Sequence, residues 1–160
     1  MYTHRPVNCS DFEEIALFPQ DARELFFMYP KGIYPLTPGQ LEEAAKSRVN
    51  ATVILSDKYI VGYSNLYDVT EEECWLGNVI IHPNYRSKGA GRYLVETMIH
   101  IARMELKIKH FRLVCHNINT KALLFYTKLG FKPFDLKIMQ DQYGNELVGI
   151  KLEAGTSVDE

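Results

Sequence analysis

The feature that most constrains the fold lies between residues 73 and 106, where the spacing of apolar side chains changes abruptly. The segment 73–82 has the period of two that is typical of a strand. The segment 91–106 has helical spacing, and its apolar residues form one stripe: Leu94, Val95, Met98, Ile101 and Ala102. The junction, residues 83–92, contains two glycines and three cations. This pattern predicts a strand that leads through a short polar turn into an amphipathic helix.

The segments on either side complete a mixed pattern of strands and helices. Six further strands are predicted, at residues 2–7, 51–55, 59–67, 111–115, 131–139 and 146–152. Helices are predicted from Ser10 to Phe18, over 21–28, from Thr37 to Arg48, and from Asn119 to Leu129. Helices alternate with strands only in the middle of the chain. We therefore expect an α/β (α+β) architecture, with one mixed sheet and helices on both of its faces.

Local capping signals set the predicted helix ends. Ser10 and Glu13 have the spacing of a capping box, which predicts that the first helix begins at Ser10. Thr37 precedes Pro38, which combines an N-cap residue with proline at the first helical position. Asn119, or the threonine after it, is predicted to cap the last helix, which then ends at a left-handed glycine.

The composition predicts one ordinary globular domain. The chain has 160 residues, of which 46% are hydrophobic, and it contains no internal repeat and no linker rich in Pro, Gly or Ser. A chain of this length can bury about 70% of its surface and needs no disulfide or metal to hold a core. We predict a single domain over residues 1–153, followed by a polar tail over 154–160.

Charge and cysteine content exclude several classes of function. Eighteen Lys and Arg residues face 20 Asp and Glu residues, so the chain lacks the basic field of a nucleic-acid-binding protein. No apolar run approaches the roughly 20 residues that cross a bilayer, so no membrane partner is expected. Three cysteines without CxxC spacing argue against a disulfide framework or a zinc cluster, and the histidines have no metal-ligand spacing. These features predict a cytoplasmic protein without a bound metal.

The glycine-rich turn has the design of an anion-binding site. Backbone N–H groups at a helix start have no intrahelical acceptors, and the helix dipole favours a phosphate there. Gly89 and Gly91 allow close approach of the main chain, and Arg86, Lys88 and Arg92 add positive charge. The turn does not match the phosphate loops GxxxxGK[ST] or GxGxxG. The alternative is an ordinary strand-to-helix turn, with glycines for geometry and arginines for solubility.

The order of these motifs resembles the GNAT superfamily of acetyl-CoA-dependent N-acetyltransferases. Residues 86–91, Arg-Ser-Lys-Gly-Ala-Gly, are similar to the family signature R/Q-x-x-G-x-G/A, and they follow a strand that ends in Val79-Ile80-Ile81-His82-Pro83. Asn119, Tyr126 and the sequence Leu129-Gly130-Phe131 match the second family motif. The two motifs cover residues 73–133. The resemblance implies a mixed, mostly antiparallel central sheet of about seven strands with helices on both faces.

The resemblance also implies how acetyl-CoA, as cosubstrate, would bind. Main-chain amides from Ser87 to Arg92 would hold its pyrophosphate, at Ser87, Lys88, Gly89, Ala90, Gly91 and Arg92. Arg86 is a further candidate cofactor-binding residue, because it adds positive charge. The pantetheine arm would pair with the main chain of Val79, Ile80 and Ile81. Family members open the required gap with a bulge in this strand, for which Gly77 is a plausible position. Asn119 resembles the family's side-chain contact to pantetheine, and it can equally serve as a helix cap.

Catalytic roles follow less directly from the sequence. Tyr126 resembles the family tyrosine that protonates the departing thiolate, although its position on the helix stripe is also compatible with a core residue. Many family members have a glutamate as general base where this chain has Trp75. Glu73, on the same strand face, is a possible substitute, or else one of a solvated acidic run. Asn65, Asn78, His116 and Asn117 are alternatives that could position a water molecule.

A Cys115–His116 dyad is excluded, because adjacent strand residues point to opposite faces of the sheet. Ribosomal-protein acetyltransferases within the superfamily have a glutamate where this chain has Val114. This difference argues against the N-terminus of a ribosomal protein as the substrate.

The acceptor region is predicted in the first two helices and the loop between them, which is aromatic. Candidate substrate contacts are Phe27, Tyr29, Tyr34, Asn65 and Asn78. The sequence thus predicts an N-acetyltransferase that acts on a primary amine of a small molecule or a peptide in a ternary complex, as a monomer or homodimer. The alternative is a non-catalytic acetyl-CoA-binding sensor or interaction module on the same fold.

Overall fold

The computed structural model describes residues 1–155, so residues 156–160 of the predicted polar tail lie outside the described residues. The seven strands are β1 (Tyr2–Pro6), β2 (Val49–Ser56), β3 (Tyr59–Tyr67), β4 (Glu73–Ile81), β5 (His110–His116), β6 (Lys132–Gln140) and β7 (Glu146–Glu153). The helices are α1 (Phe12–Ile15), α2 (Ala22–Met28), α3 (Pro38–Ala45), α4 (Ala90–Met104) and α5 (Thr120–Lys128). The strand-to-helix junction predicted after β4 is present.

The strands form one sheet in the order β1-β2-β3-β4-β5-β7-β6. All neighbouring pairs are antiparallel except β4 and β5, which are parallel. One face, here called the α4 face, packs against α4 and α5 through a core that includes Leu94, Met98 and Phe111. The opposite α2 face packs against α1, α2 and α3 through residues such as Leu25 and Tyr63. The predicted fold class, a mostly antiparallel seven-stranded sheet with helices on both faces, is confirmed.

Most of the predicted helix caps are present. Thr37 Oγ1 accepts the N–H of Gln40 at 3.3 Å, and Pro38 is the first residue of α3. Asn119 Oδ1 accepts the N–H of Ala122 at 3.3 Å at the start of α5. Gly130 follows α5 with φ of 95°, in the left-handed region that this cap requires.

Three predicted helix limits were wrong. The first helical segment begins at Asn8, whose N–H donates to Asp11 Oδ2 at 2.7 Å, and not at Ser10. Asp11 is fixed by Arg5 at 2.8 Å, so a contact with β1 determines where the chain turns. A 3₁₀ turn over Cys9–Asp11 therefore precedes a four-residue α1, which ends at Ile15 and not at the predicted Phe18. The third helix ends at Ala45, and Arg48 instead donates to Asn65 Oδ1 at 3.0 Å on β3.

The two parallel strands separate soon after they meet. β4 and β5 pair only over Glu73–Trp75 and His110–Arg112. Beyond these three residues the strands diverge, although β4 continues to Ile81 and β5 to His116. The main-chain edges of both strands are therefore left facing each other across an opening within the sheet, which we call the β4–β5 opening.

A bulge in β4 lies at the level of this opening. Tyr63 pairs with Ile80 and Asn65 pairs with Gly77, so two residues of β4 stand opposite Ser64 alone. Asn78 has φ of 50°, which is left-handed. The extra residue reverses the alternation of the strand, because Leu76 packs on the α4 face whereas Ile80 packs on the α2 face.

The bulge therefore centres on Asn78, and the prediction that placed it at Gly77 was wrong by one residue. Gly77 serves another purpose: a Cβ there would overlap the Arg48 guanidinium and lie 2.9 Å from the Tyr67 ring. The Arg48 guanidinium lies 4.5 Å from the centre of that ring. The glycine thus makes room for a stacked cation beside the strand.

Buried amides hold the bulge. Asn65 Nδ2 donates to Asn78 Oδ1 at 2.9 Å, and Asn78 Nδ2 donates to the carbonyl oxygen of Met28 at 3.0 Å. Asn65 is 0% exposed and Asn78 is 4% exposed, so neither amide can exchange these bonds for water. This chain of bonds joins β3, β4 and the end of α2, and it fixes where the α2 face meets the opening.

We predict that Asn78→Ala lowers the free energy of unfolding by about 2–5 kcal/mol, because Asn65 Nδ2 and the Met28 carbonyl lose buried partners. Alanine must also adopt the left-handed backbone. Asn50→Ala is the matched control, since Asn50 has φ of 51° but no side-chain hydrogen bond within residues 1–155. Urea unfolding measures both values. Equal losses for the two variants would contradict the role of the amide pair.

Candidate active site

The turn between β4 and α4 presents free amides at a helix start. Ser87 and Gly89 have φ of 61° and 88°, and Gly89 is the N-cap residue of α4 without a side-chain cap. The first intrahelical bond runs from the N–H of Tyr93 to the Gly89 carbonyl at 3.0 Å. Within residues 1–155 no acceptor bonds to the N–H groups of residues 90–92. The positive end of a 15-residue helix, with three N–H groups that have no acceptor in the described residues, thus lies at this turn.

The same turn is fixed beside the β4–β5 opening by a close helix contact. A Cβ on Gly91 would lie 3.3 Å from Phe125 Cζ on α5 and 3.9 Å from Ile81 Cγ1 at the end of β4. Only a glycine or a small residue allows α4 and α5 to approach this closely. The amides at the start of α4 therefore lie at the end of the opening where β4 meets both helices.

Arg86 is occupied by the protein itself. Its Nη1 pairs with Glu24 Oε2 at 2.8 Å, its Nε donates to the Ile81 carbonyl at 3.0 Å, and its Nη2 donates to the Phe18 carbonyl at 3.2 Å. Burial raises the pKa of Glu24, but the guanidinium and the Gln20 amide outweigh it, so the pKa is lowered overall. The sequence predicts that Arg86 contributes charge to a bound anion. In the structure its guanidinium instead joins β4 to the α1–α2 loop.

The other two cations of the turn remain accessible. Lys88 is exposed, its carbonyl accepts the Tyr2 hydroxyl at 2.8 Å, and no carboxylate of residues 1–155 pairs with its ammonium. Arg92 pairs with Glu96 at 3.1 Å one helical turn away, with both side chains largely exposed. Exposed pairs of this kind are weak and easily exchanged. Lys88 and Arg92 can therefore contribute charge to an anion at the α4 start.

Tyr126 lies on α5 at the α4 face of the opening. It is 8% exposed and packs edge to face on Phe125 and Phe131, with ring centres 5.2 and 5.5 Å away. No group in residues 1–155 hydrogen-bonds its hydroxyl. Burial, and secondly the Cys115 thiol, raise the pKa of Tyr126, so the phenol stays protonated at neutral pH. Such a group can donate a proton but cannot act as a base.

Asn119 keeps one polar group available. Its Oδ1 caps α5, as one of the two sequence interpretations predicted, and its main-chain N–H donates to the His116 carbonyl at 2.9 Å. Its Nδ2 has no acceptor within the described part of the chain. The helix cap and a contact with a bound molecule are therefore compatible.

Cys115 and His116 lie on opposite faces of β5, so the exclusion of a dyad is confirmed. Cys115 packs in the core of the α4 face, and burial raises the pKa of its thiol to about 12. His116 lies on the α2 face, where its ring centre is 4.6 Å from that of Phe26 and 5.8 Å from that of Phe27. The thiol is a structural core group rather than a nucleophile.

Glu73 lies where β4 and β5 are still paired. Its Oε1 accepts Arg112 Nη1 at 3.1 Å and its Oε2 accepts the Trp75 indole N–H at 2.6 Å. Arg112 also binds Glu153 at 2.7 Å. At about 3.3 Å per strand residue, Glu73 is roughly 20 Å along the strand from Val79. Its role as proton acceptor stays a prediction, and its contacts and position favour a structural role.

The predicted substrate residues are divided between the interior and the surface. Asn65 and Asn78 are used by the bulge, so their side chains are not available at the surface. Phe27 is half-buried beside His116, with the Arg23 guanidinium 5.3 Å from the centre of its ring. Tyr29 packs on the α2-face core, and Tyr34, in the following loop, donates its hydroxyl to the Gln20 carbonyl at 3.2 Å. Phe27 is the member of this set that lies beside the last residue of β5.

Within residues 1–155 no group of three or more His, Cys, Asp or Glu side chains is arranged to hold a metal ion. The same residues contain no helix with the length and apolar character needed to cross a bilayer.

The separated parallel strands, the bulge in β4 and the uncapped start of α4 together define the N-acetyltransferase class of fold. The family model described as "Acetyltransferase (GNAT) family" matches residues 16–131. The chain belongs to the GNAT acetyltransferase family, and the resemblance inferred from the two motifs is confirmed.

Solved structures agree with this assignment at the level of the fold. The chain is similar to a chimera of the spermidine N-acetyltransferase SpeG from Vibrio cholerae and hSSAT, with 16% identity and a TM-score of 0.76 over 96% of this chain and 94% of that one. It is similar to Ard1 from Thermoplasma volcanium, with 17% identity and a TM-score of 0.77 over 96% and 98% of the chains. A GNAT family acetyltransferase from Elizabethkingia anophelis with acetyl-CoA bound gives 18% identity and a TM-score of 0.67 over 96% and 97%. No curated protein sequence matches the chain.

We predict that Arg86→Met lowers the melting temperature of the ligand-free protein, because two carbonyls and Glu24 lose a half-buried partner. A loss of about 1–3 kcal/mol is expected, which corresponds to about 2–12 °C. Arg92→Met is the matched control and should change stability by less than about 0.5 kcal/mol. Calorimetry measures both, and equal melting temperatures for Arg86→Met and the wild type would contradict the joining role of Arg86.

Proposed function

We propose that the protein transfers the acetyl group of acetyl-CoA to a primary amine of a small molecule or a peptide, by direct attack in a ternary complex. The observation that carries this proposal is the uncapped start of α4 beside an opening whose wall holds the protonated Tyr126. These features supply an anion site and a proton donor on the same side of the sheet. We further propose that the enzyme works in the cytoplasm as a monomer or homodimer, without a nucleic-acid or membrane partner.

Three parts of the chain would hold the coenzyme. The amides of residues 87–92 would bind its pyrophosphate, with added charge from Lys88 and Arg92. The edge of β4 over Val79–Ile81, which has no β5 partner, would pair with the amide groups of the pantetheine arm. Asn119 Nδ2 would donate to the same arm.

The chemistry would be divided between the two faces of the sheet. The amine would approach from the α2 face, while Tyr126 would donate a proton to the departing sulfur from the α4 face. The amine must also lose a proton, because holding an alkylamine neutral at pH 7 costs roughly 4–5 kcal/mol. Glu73 would have to leave Arg112 and Trp75 to accept that proton.

A second candidate function is a sensor that binds acetyl-CoA without turnover. The occupation of the Glu73 carboxylate by Arg112 and Trp75 is the observation that favours it. Release of free thiol across an amine panel separates the two functions, because a sensor gives none. Spermidine, phosphinothricin, glutamate and a peptide with a free α-amine form a suitable panel.

For the coenzyme we predict saturable binding of acetyl-CoA. At 100 times its Kd it should stabilise the folded protein by about 2.7 kcal/mol, and coenzyme A should compete with it. Calorimetric titration and thermal shift measure this binding. The same assay with ATP is the control, because the opening beyond the anion site suits a pantetheine arm. Competition by ATP at equal concentration, or no response to acetyl-CoA, would refute the coenzyme assignment.

For the proton donor we predict that Tyr126→Phe lowers kcat more than tenfold, since phenylalanine packs on Phe125 and Phe131 but cannot donate a proton. The Kd of acetyl-CoA should change less than threefold. Tyr59→Phe, on an exposed tyrosine of β3, is the control for loss of a hydroxyl. Unchanged turnover in Tyr126→Phe would assign this tyrosine to the core alone.

A further inference from the structure

We propose that His116 is the catalytic proton acceptor, which takes a proton from the ammonium group of the acceptor before it attacks. This inference rests on the proposed acetyl transfer and names a residue for its least defined step. It is carried by three features of His116: a buried ring nitrogen without a partner, an apolar enclosure, and a position across the sheet from Tyr126.

The imidazole of His116 is buried but not satisfied. The residue is 4% exposed, and its Nε2 has no hydrogen-bond partner within residues 1–155. Buried side-chain polar atoms normally have a partner, and those that lack one call for an explanation such as a catalytic role or a bound water. The buried side-chain atoms of this kind in the described residues are Nε2 and Ser64 Oγ, and the nitrogen is the one that titrates near neutral pH.

The surroundings of the ring keep it neutral. α2 contributes the rings of Phe26 and Phe27, and the Arg23 guanidinium lies over the Phe27 ring. β6 contributes the ammonium of Lys137, and β7 contributes Gly149, which pairs with His116 and has no side chain. Burial first, and Lys137 second, lower the pKa of His116 below its ordinary value of 6.5. A neutral imidazole at pH 7 is the form that accepts a proton.

The location of His116 matches the requirement of the reaction. β5 leaves β4 after Arg112, and His116 is the last residue of β5, on the α2 face of the opening. Its neighbour Cys115 points to the α4 face, where it is close enough to influence Tyr126. Tyr126 and His116 thus both lie beside the end of β5, but on opposite faces of the sheet. A proton donor for the sulfur and a proton acceptor for the amine are separated by the thickness of the sheet.

One proton passes from the ammonium R–NH₃⁺ to Nε2 of His116, directly or through one water, and the nitrogen lone pair then forms the C–N bond to the acetyl carbon. The C–S bond breaks with its electron pair on sulfur. Tyr126 gives its proton to that sulfur and regains one from the attacking nitrogen through water. The products are R–NH–acetyl, coenzyme A as a thiol, and one proton that His116 releases to solvent.

The pH dependence of kcat/KM tests this role, with the amine of the panel that turns over fastest as the probe. With His116 as acceptor, the protonated amine is the productive form, so kcat/KM is flat between the His116 pKa and the pKa of the amine itself. Activity falls below the His116 pKa, because the imidazolium cannot accept a proton. His116→Phe retains an aromatic ring beside Phe26 and Phe27 but has no acceptor.

For His116→Phe we expect kcat to fall by a factor of about 100 to 10,000 at pH 7. Only the neutral fraction of the amine then reacts, so kcat/KM should rise tenfold per pH unit up to the amine's own pKa. The Kd of acetyl-CoA should change less than threefold. The control is His100→Phe, the same substitution at an exposed position on α4, which should keep the flat profile.

A second variant, His116→Asn, keeps the inference testable if phenylalanine disturbs packing, since asparagine is polar but does not accept a proton near pH 7. A flat profile or wild-type turnover in a folded His116 variant overturns the role of His116 and leaves acetyl transfer intact. Acetyl-CoA binding by the wild type without thiol release for any amine in the panel overturns both the transfer and this role. A purely structural histidine would lower stability without changing the shape of the profile.

Discussion

The buried amide pair between Asn65 and Asn78 is the interaction on which the arrangement of the site depends. It holds Asn78 in a left-handed conformation that a strand residue rarely adopts. The resulting bulge reverses the alternation of β4, so that the strand contributes Leu76 to one core and Ile80 to the other. Asn78 also binds the last residue of α2, which fixes that helix over the β4–β5 opening. One pair of amides therefore determines both the course of the β4 edge and the position of α2 beside it.

The two faces of the sheet then have different chemical character. The α4 face provides the positive end of a helix and a phenol that burial keeps protonated. The α2 face provides an apolar enclosure with a neutral imidazole. Arg86 joins the two sides, because its guanidinium reaches from the end of β4 to the loop before α2. In the proposed acetyl transfer Tyr126 would give a proton to sulfur and His116 would take one from the amine, so the sheet would separate the donor from the acceptor.

Much of the fold could be predicted from the sequence, because local signals agree with tertiary structure there. The glycine-rich turn, the amphipathic α4, and the caps at Thr37, Asn119 and Gly130 all depend on contacts within a few residues. The start of the first helix could not be predicted, since Arg5 on β1 fixes Asp11 and makes Asn8 the cap. The sequence predicts the bulge at Gly77 because glycine is the usual signal, whereas partners on β3 and α2 allow an asparagine to take the left-handed position.

The candidate site could be predicted from the sequence only where its residues belong to local motifs. The amides of the α4 start belong to such a motif, and Tyr126 follows from the resemblance to the GNAT family. Two partners of Arg86, Glu24 and Phe18, lie 62 and 68 residues away and leave no local signal. The sequence indicates His116 only as a residue that could position a water, since the missing partner of its Nε2 is a property of the folded interior. A crystal structure with coenzyme A would decide whether the proposed site binds it. We expect the pyrophosphate on the amides of residues 87–92 and the sulfur between β4 and β5, in contact with the Tyr126 hydroxyl. Coenzyme bound elsewhere, or a sulfur remote from Tyr126, would contradict this expectation.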